Sequence, residues 1–121
     1  MANPTGTYAV VSNGAQGTMQ LTVDVTGNVV NSTLDFGGRA SALSGGYDDA
    51  TGLLRFSVLT PYISRVPLTT YAGYEMTLDP QNKQLAFAGF VTEYVAQLEG
   101  GLPIGYTPVE HGWWAIQIVP Q

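Results

Sequence analysis

Apolar and polar residues alternate along this chain with a period of two, in short segments broken by Gly, Asn and Asp, and almost nowhere at the spacing of an amphipathic helix. The pattern predicts strands over residues 7–12, 18–25, 28–36, 40–48, 53–59, 69–78, 84–94 and 111–119. Alternation assigns inward faces to Met19, Leu21, Val23 and Val25, to Val30, Leu34 and Phe36, and to Leu54, Phe56 and Val58. Thr26-Gly27-Asn28, Asp48 to Gly52 and Asp79 to Lys83 carry residues that preset turns or tolerate positive φ, so each closes a hairpin. Two connections are longer. The first, 60–68, contains Pro61 and Pro67; the second, 96–109, carries Gly100-Gly101-Leu102-Pro103 and Gly105-Tyr106-Thr107-Pro108 and reads as a loop able to cover a barrel mouth. Eight strands with short links predict an all-β fold, one antiparallel up-and-down β-barrel over residues 1–121, with a β-sandwich as the alternative.

Some strands carry apolar residues on both faces. On 69–78 the even positions Ala72, Tyr74, Met76 and Leu78 form the apolar set, which puts Tyr71 and Glu75 on the other side. Either Glu75 faces water, or it faces the lumen and the apolar set faces a partner. Trp113 and Trp114 are neighbours in one strand and must point to opposite faces, so one indole leaves the core. An outer tryptophan points to a subunit interface, and a homo-oligomer is expected.

Composition narrows the partners. Four basic residues against nine acidic ones give a net charge of −5, and Arg39, Arg55, Arg65 and Lys83 are scattered. No basic stripe exists for nucleic acid and no cationic cluster for a membrane surface. There is no cysteine, hence no disulfide or thiolate site. Met1-Ala2-Asn3-Pro4 shows no signal-peptide pattern, which leaves a cytoplasmic protein or a secreted one with its leader removed.

Candidate chemistry is sparse. A single histidine, His111, excludes a metal site of several imidazoles within one chain, and no cofactor motif accompanies the glycine pairs Gly37-Gly38 and Gly100-Gly101, which read as turns. Glu110-His111 is a titratable pair at a barrel mouth, either at the surface or as general base or ligand contact. Asp35, Glu75 and Glu93 lie inside predicted strands, where an inward carboxylate would be desolvated. The aromatics, Tyr8, Tyr47, Phe56, Tyr71, Phe87, Phe90, Tyr94 and the tryptophans, either pack the core or line a cavity.

Three segments carry a resemblance to the avidin and streptavidin barrel. Gly6-Thr7-Tyr8 stands where that family opens its first strand with Gly-Thr-Trp; Leu43-Ser44-Gly45-Gly46-Tyr47-Asp48 is similar to its fourth strand and turn; Thr69-Thr70-Tyr71-Ala72-Gly73 resembles its Thr-Thr-Trp-Ser-Gly segment. The resemblance implies an eight-stranded barrel. It does not extend to biotin, because Val10 and Gly14 stand at two of that family's polar ligand contacts and Tyr71 replaces a tryptophan. Three functions follow as expectations. The first is a barrel holding a small apolar or aromatic molecule in its lumen, with Tyr8, Tyr47, Tyr71, Glu75, Phe90, His111 and Trp113 as the ligand-binding set. The second is a structural or oligomeric interaction protein with a filled barrel. The third is a cofactor-independent cyclase or isomerase using Glu75, Glu93 or His111 as acid or base.

Overall fold

Asn13 and Gly14 sit at φ 48° and 81°, the left-handed pair that a two-residue hairpin turn requires, and they fold β1 (Gly6–Ser12) directly onto β2 (Ala15–Leu21). The computed structural model describes residues 3–59 and 69–118; the expected connection at 60–68 and the end of the last strand at Val119 lie outside them. The remaining strands are β3 (Asn28–Val29), β4 (Thr33–Phe36), β5 (Arg39–Asp48), β6 (Leu53–Leu59), β7 (Thr69–Asp79), β8 (Gln84–Glu99) and β9 (Leu102–Gln117). The described residues form no helix.

Every pairing is antiparallel, and the order β1-β2-β4-β5-β6-β7-β8-β9 returns to β1 through the β1–β9 ladder. The sheet is thus a closed, barrel-like ring of eight strands, with the two-residue β3 paired to β5 outside the ring. Closure removes the sandwich alternative, which needs two separate sheets.

The expected third strand is two pieces. Asn31 takes φ 49°, and the break shifts the inward parity from Val29, 7% exposed, to Leu34, 3% exposed, so the expected inward Val30 is only half-buried. Buried Ser32 closes the gap: its hydroxyl accepts from Thr22 N at 2.8 Å and donates to Val30 O at 2.9 Å. Val25, expected inward, is fully exposed. Asp24 Oδ1 accepts from Thr26 N and Asn28 N, both at 2.9 Å, and this tight turn pushes Val25 out of the strand.

The expected loop at 96–109 is strand instead. β8 runs through Glu99, Gly100 and Gly101 turn at φ 60° and 82°, and β9 runs back from Leu102. This two-stranded ribbon passes the last β7 pairing at Thr92 and the last β1 pairing at Trp113. Gln97 Nε2 donates to Thr107 Oγ1 across it.

Inside the ring, Tyr8, Val10, Met19, Leu21, Leu43, Leu54, Phe56, Tyr71, Phe87, Val91, Trp113 and Ala115 form one core. The middle of the barrel is filled. Phe56 stacks on Tyr71 with ring centroids 4.9 Å apart, and Trp113 meets both edge-on at 5.8 and 5.3 Å. The indole fits because Gly73, opposite Gly89 across β7 and β8, carries no side chain: a Cβ there would lie 2.7 Å from Trp113 Cζ2. Its Nε1 donates to Ala72 O at 3.2 Å.

Candidate functional site

The aromatic plug divides the seven expected ligand contacts. Tyr8 is fully buried against Phe87, with ring centroids 5.7 Å apart, and donates to Pro4 O at 2.6 Å; Trp113, 2% exposed, belongs to the plug, so neither is open to a ligand. Phe90 is on the outer wall, 64% exposed and in register with Ala72 and Gly112; its expected place in the lumen is overturned by the inward parity of Gly89 and Val91. Tyr47 and Glu75 lie at one end, and Tyr71 and His111 at the other.

At the first end the Tyr47 hydroxyl donates to Glu75 Oε2 at 2.9 Å, and the Tyr47 ring meets Phe87 edge-on at 6.3 Å. Glu75 is therefore held on the lumen side. Burial, then the bond to Glu75 and its charge, push the Tyr47 phenol up to about 12. Burial, with the Glu75 charge behind it, pushes Tyr8 up as well. The linkage has a definite sign: unfolded phenols ionise near ~10, so this stabilisation is intact below that pH and is lost as pH rises through the folded values. We expect urea midpoints to fall from about pH 10 upward, and tyrosinate absorbance to show a late-titrating group that Tyr47→Phe removes. A single step near ~10 for all tyrosines would contradict it.

At the second end, polar groups converge above the plug. Strand parity brings Ser12 from β1, Ser41 from β5, Thr69 and Tyr71 from β7, Glu93 from β8 and His111 from β9 to the inner side of one mouth. His111 Nε2 lies 3.3 Å from Glu93 Oε2, with side chains 21% and 46% exposed. Ser12 is buried and hydrogen-bonded to the Tyr71 phenol. Burial raises the Tyr71 pKa, the Ser12 bond opposes this, and the Glu93 charge adds to the rise. A pocket of about 250 Å³ opens here, lined by Leu34, Phe36, Ser41, Val58, Thr69, Tyr71 and Glu93.

Two larger depressions carry less chemistry. One of about 470 Å³, at the Tyr47 end, is lined by turn residues such as Asp24, whose carboxylate is already engaged by Thr26 and Asn28. The other, about 440 Å³, is a shallow groove on the outside of β5 and β6 beside Arg55. Asp35, another strand carboxylate, accepts from Gly38 N at 2.8 Å in the β4–β5 turn. Among the described residues no group of three or more His, Asp or Glu is placed to hold a metal ion.

Of the mouth residues, Tyr71, Glu93 and His111 stand out in the sequence by their chemistry. Ser12, Ser41 and Thr69 do not, although each follows the inward parity of its strand. No family model matches the chain, and no curated protein or solved structure matches it either.

Proposed function

We propose that the protein binds a small ring compound at the Tyr71–Glu93 mouth of its barrel. The observation that carries this reading is the convergence of a carboxylate, a phenol and two hydroxyls on one pocket of about 250 Å³ with apolar walls. With the lumen filled beneath it, the ligand sits at the mouth instead of deep inside. The pocket holds roughly eight water volumes, below the usual range for drug-sized molecules, so the ligand is a single ring or a compact bicycle. Leu34, Phe36 and Val58 cover its apolar part, and Glu93, oriented by His111, accepts a hydrogen bond from an N–H or a cationic group. Val10 is buried in the core and Gly14 is turn backbone, so neither offers the polar contact biotin would need.

The test is a panel of small aromatic amines, phenols and carboxylic acids, with biotin included, titrated against tryptophan fluorescence. We expect aromatic amines to bind and biotin not to bind tightly. Glu93→Gln should weaken the amines by about tenfold or more, as loss of a charge-assisted hydrogen bond does. A panel without any binder, or binding indifferent to Glu93→Gln, would overturn the assignment.

A further inference from the structure

Independently of any ligand, the outer wall opposite this mouth's plug has a pattern of its own. The ladders set Tyr74, Ala88 and Trp114 side by side on β7, β8 and β9, and the next outward row is Ala72, Phe90 and Gly112. One row reads large, small, large; the other reads small, large, small. Beyond Tyr74, Ala88 and Trp114, Met76, Ala86 and Ile116 form a third row; Val11 of β1 extends the first row past Trp114, and Ala9 extends the third past Ile116. None of these residues is charged. Tyr74 is 58%, Met76 44%, Phe90 64% and Trp114 43% exposed.

A face of this kind is complementary to itself. Consider a two-fold axis lying parallel to the sheet, across the strands, between the two rows. It places Phe90 of one copy over Ala88 of the other, Tyr74 over Ala72 and Trp114 over Gly112, so within these two rows every large side chain meets a small one; the third row falls on Thr70, Thr92 and Glu110 of the partner copy. Isologous pairing requires this reciprocity, and aligned face-to-face packing of sheets allows it. The area is adequate in kind: the exposed parts of Tyr74, Met76, Phe90 and Trp114 come to roughly 500 Å², in the upper half of the ~300–600 Å² that a monomer's largest apolar patch covers. That is more than half of the ~800 Å² per partner of a standard interface, before the flanking Ala72, Ala88, Ile116 and Val11 are counted. The absence of charge from the rows also suits a second copy of this acidic chain, since pairing there brings no carboxylates together at the centre.

We infer that the protein forms a two-fold dimer through the outer face of β7, β8 and β9, with Phe90 of each copy seated on Ala88 of the other. The experiment is sedimentation and light scattering on the intact chain up to about 100 µM, with circular dichroism as a check of folding. The wild type should be dimeric. Phe90→Asp, on a side chain already largely outside the barrel, should give monomers. Ala88→Phe should raise the dimer dissociation constant by about tenfold or more by setting ring against ring. The double change Ala88→Phe with Phe90→Ala exchanges large and small between the two rows on β8 and should restore the dimer, whereas Leu102→Asp at the ribbon tip should leave it intact. A monomeric wild type, a dimer indifferent to Phe90→Asp, or dissociation by Leu102→Asp alone would overturn the proposal.

Discussion

Trp113→Ala is expected to lower the unfolding free energy by about 3–5 kcal/mol, the usual cost of emptying a buried indole site. Three losses coincide at this position. The indole is 2% exposed, so nearly all of its area returns to water or leaves a void. Its edge-on contacts with Phe56 at 5.8 Å and Tyr71 at 5.3 Å disappear together, although each such pair adds only about 0.5–1.5 kcal/mol beyond burial. The Ala72 carbonyl also loses the donor that reached it at 3.2 Å. The void cannot collapse easily, because the wall behind it is the backbone of Gly73, which has no side chain to move inward. For a domain of this size the loss corresponds to a melting point lower by about 10–20 °C. Denaturant melts at fixed protein concentration will measure it. Trp114→Ala, which removes an indole 43% exposed, is the comparison; equal costs for the two would show that the plug is not the centre of stability.

Period-two alternation made the barrel legible, because a residue's parity decides its face wherever a strand runs unbroken. Glu75 and Tyr71 fall inside and Tyr74 outside for that reason alone, and Trp113 and Trp114 divide as neighbours must. Parity fails where the strand does. The left-handed Asn31 resets it between Val29 and Leu34, and the Asp24 turn ends it before Val25. The ribbon was hidden by its composition: Gly100, Gly101, Pro103, Gly105 and Pro108 look like a loop. In the ribbon, β9 is laddered only to β8 among the described residues, and a strand paired on one side tolerates a proline that a central strand does not. Tyr71, Glu93 and His111 could be named from chemistry. Their meeting could not, since it depends on which end of the barrel each strand turns toward its neighbours.

The second large effect concerns a residue whose sequence context gives no warning. Gly89→Ala is expected to cost about 3 kcal/mol or more, whereas Gly105→Ala, also in a strand of the long hairpin, should change stability by less than about 0.5 kcal/mol. Both glycines have ordinary strand conformations, so backbone freedom does not distinguish them. Space does. A Cβ on Gly89 would overlap the Ala72 carbonyl oxygen and come within 2.6 Å of Gly73 Cα, and backbone atoms of a neighbouring strand cannot rotate aside. On Gly105 the nearest atom would be Gln97 Oε1 at 3.7 Å, an ordinary contact with the end of a flexible side chain. Relief at Gly89 would require β7 to move outward, and Gly73 moving with it would shift the surface against which Trp113 packs. Gly89→Ala should therefore shift the Trp113 emission toward that of an exposed indole in a Trp114→Phe background, which leaves Trp113 as the only reporter. Melts of the two alanine variants decide it: equal stability would mean that β7 and β8 can separate freely, and that their close approach at this point does not require a glycine.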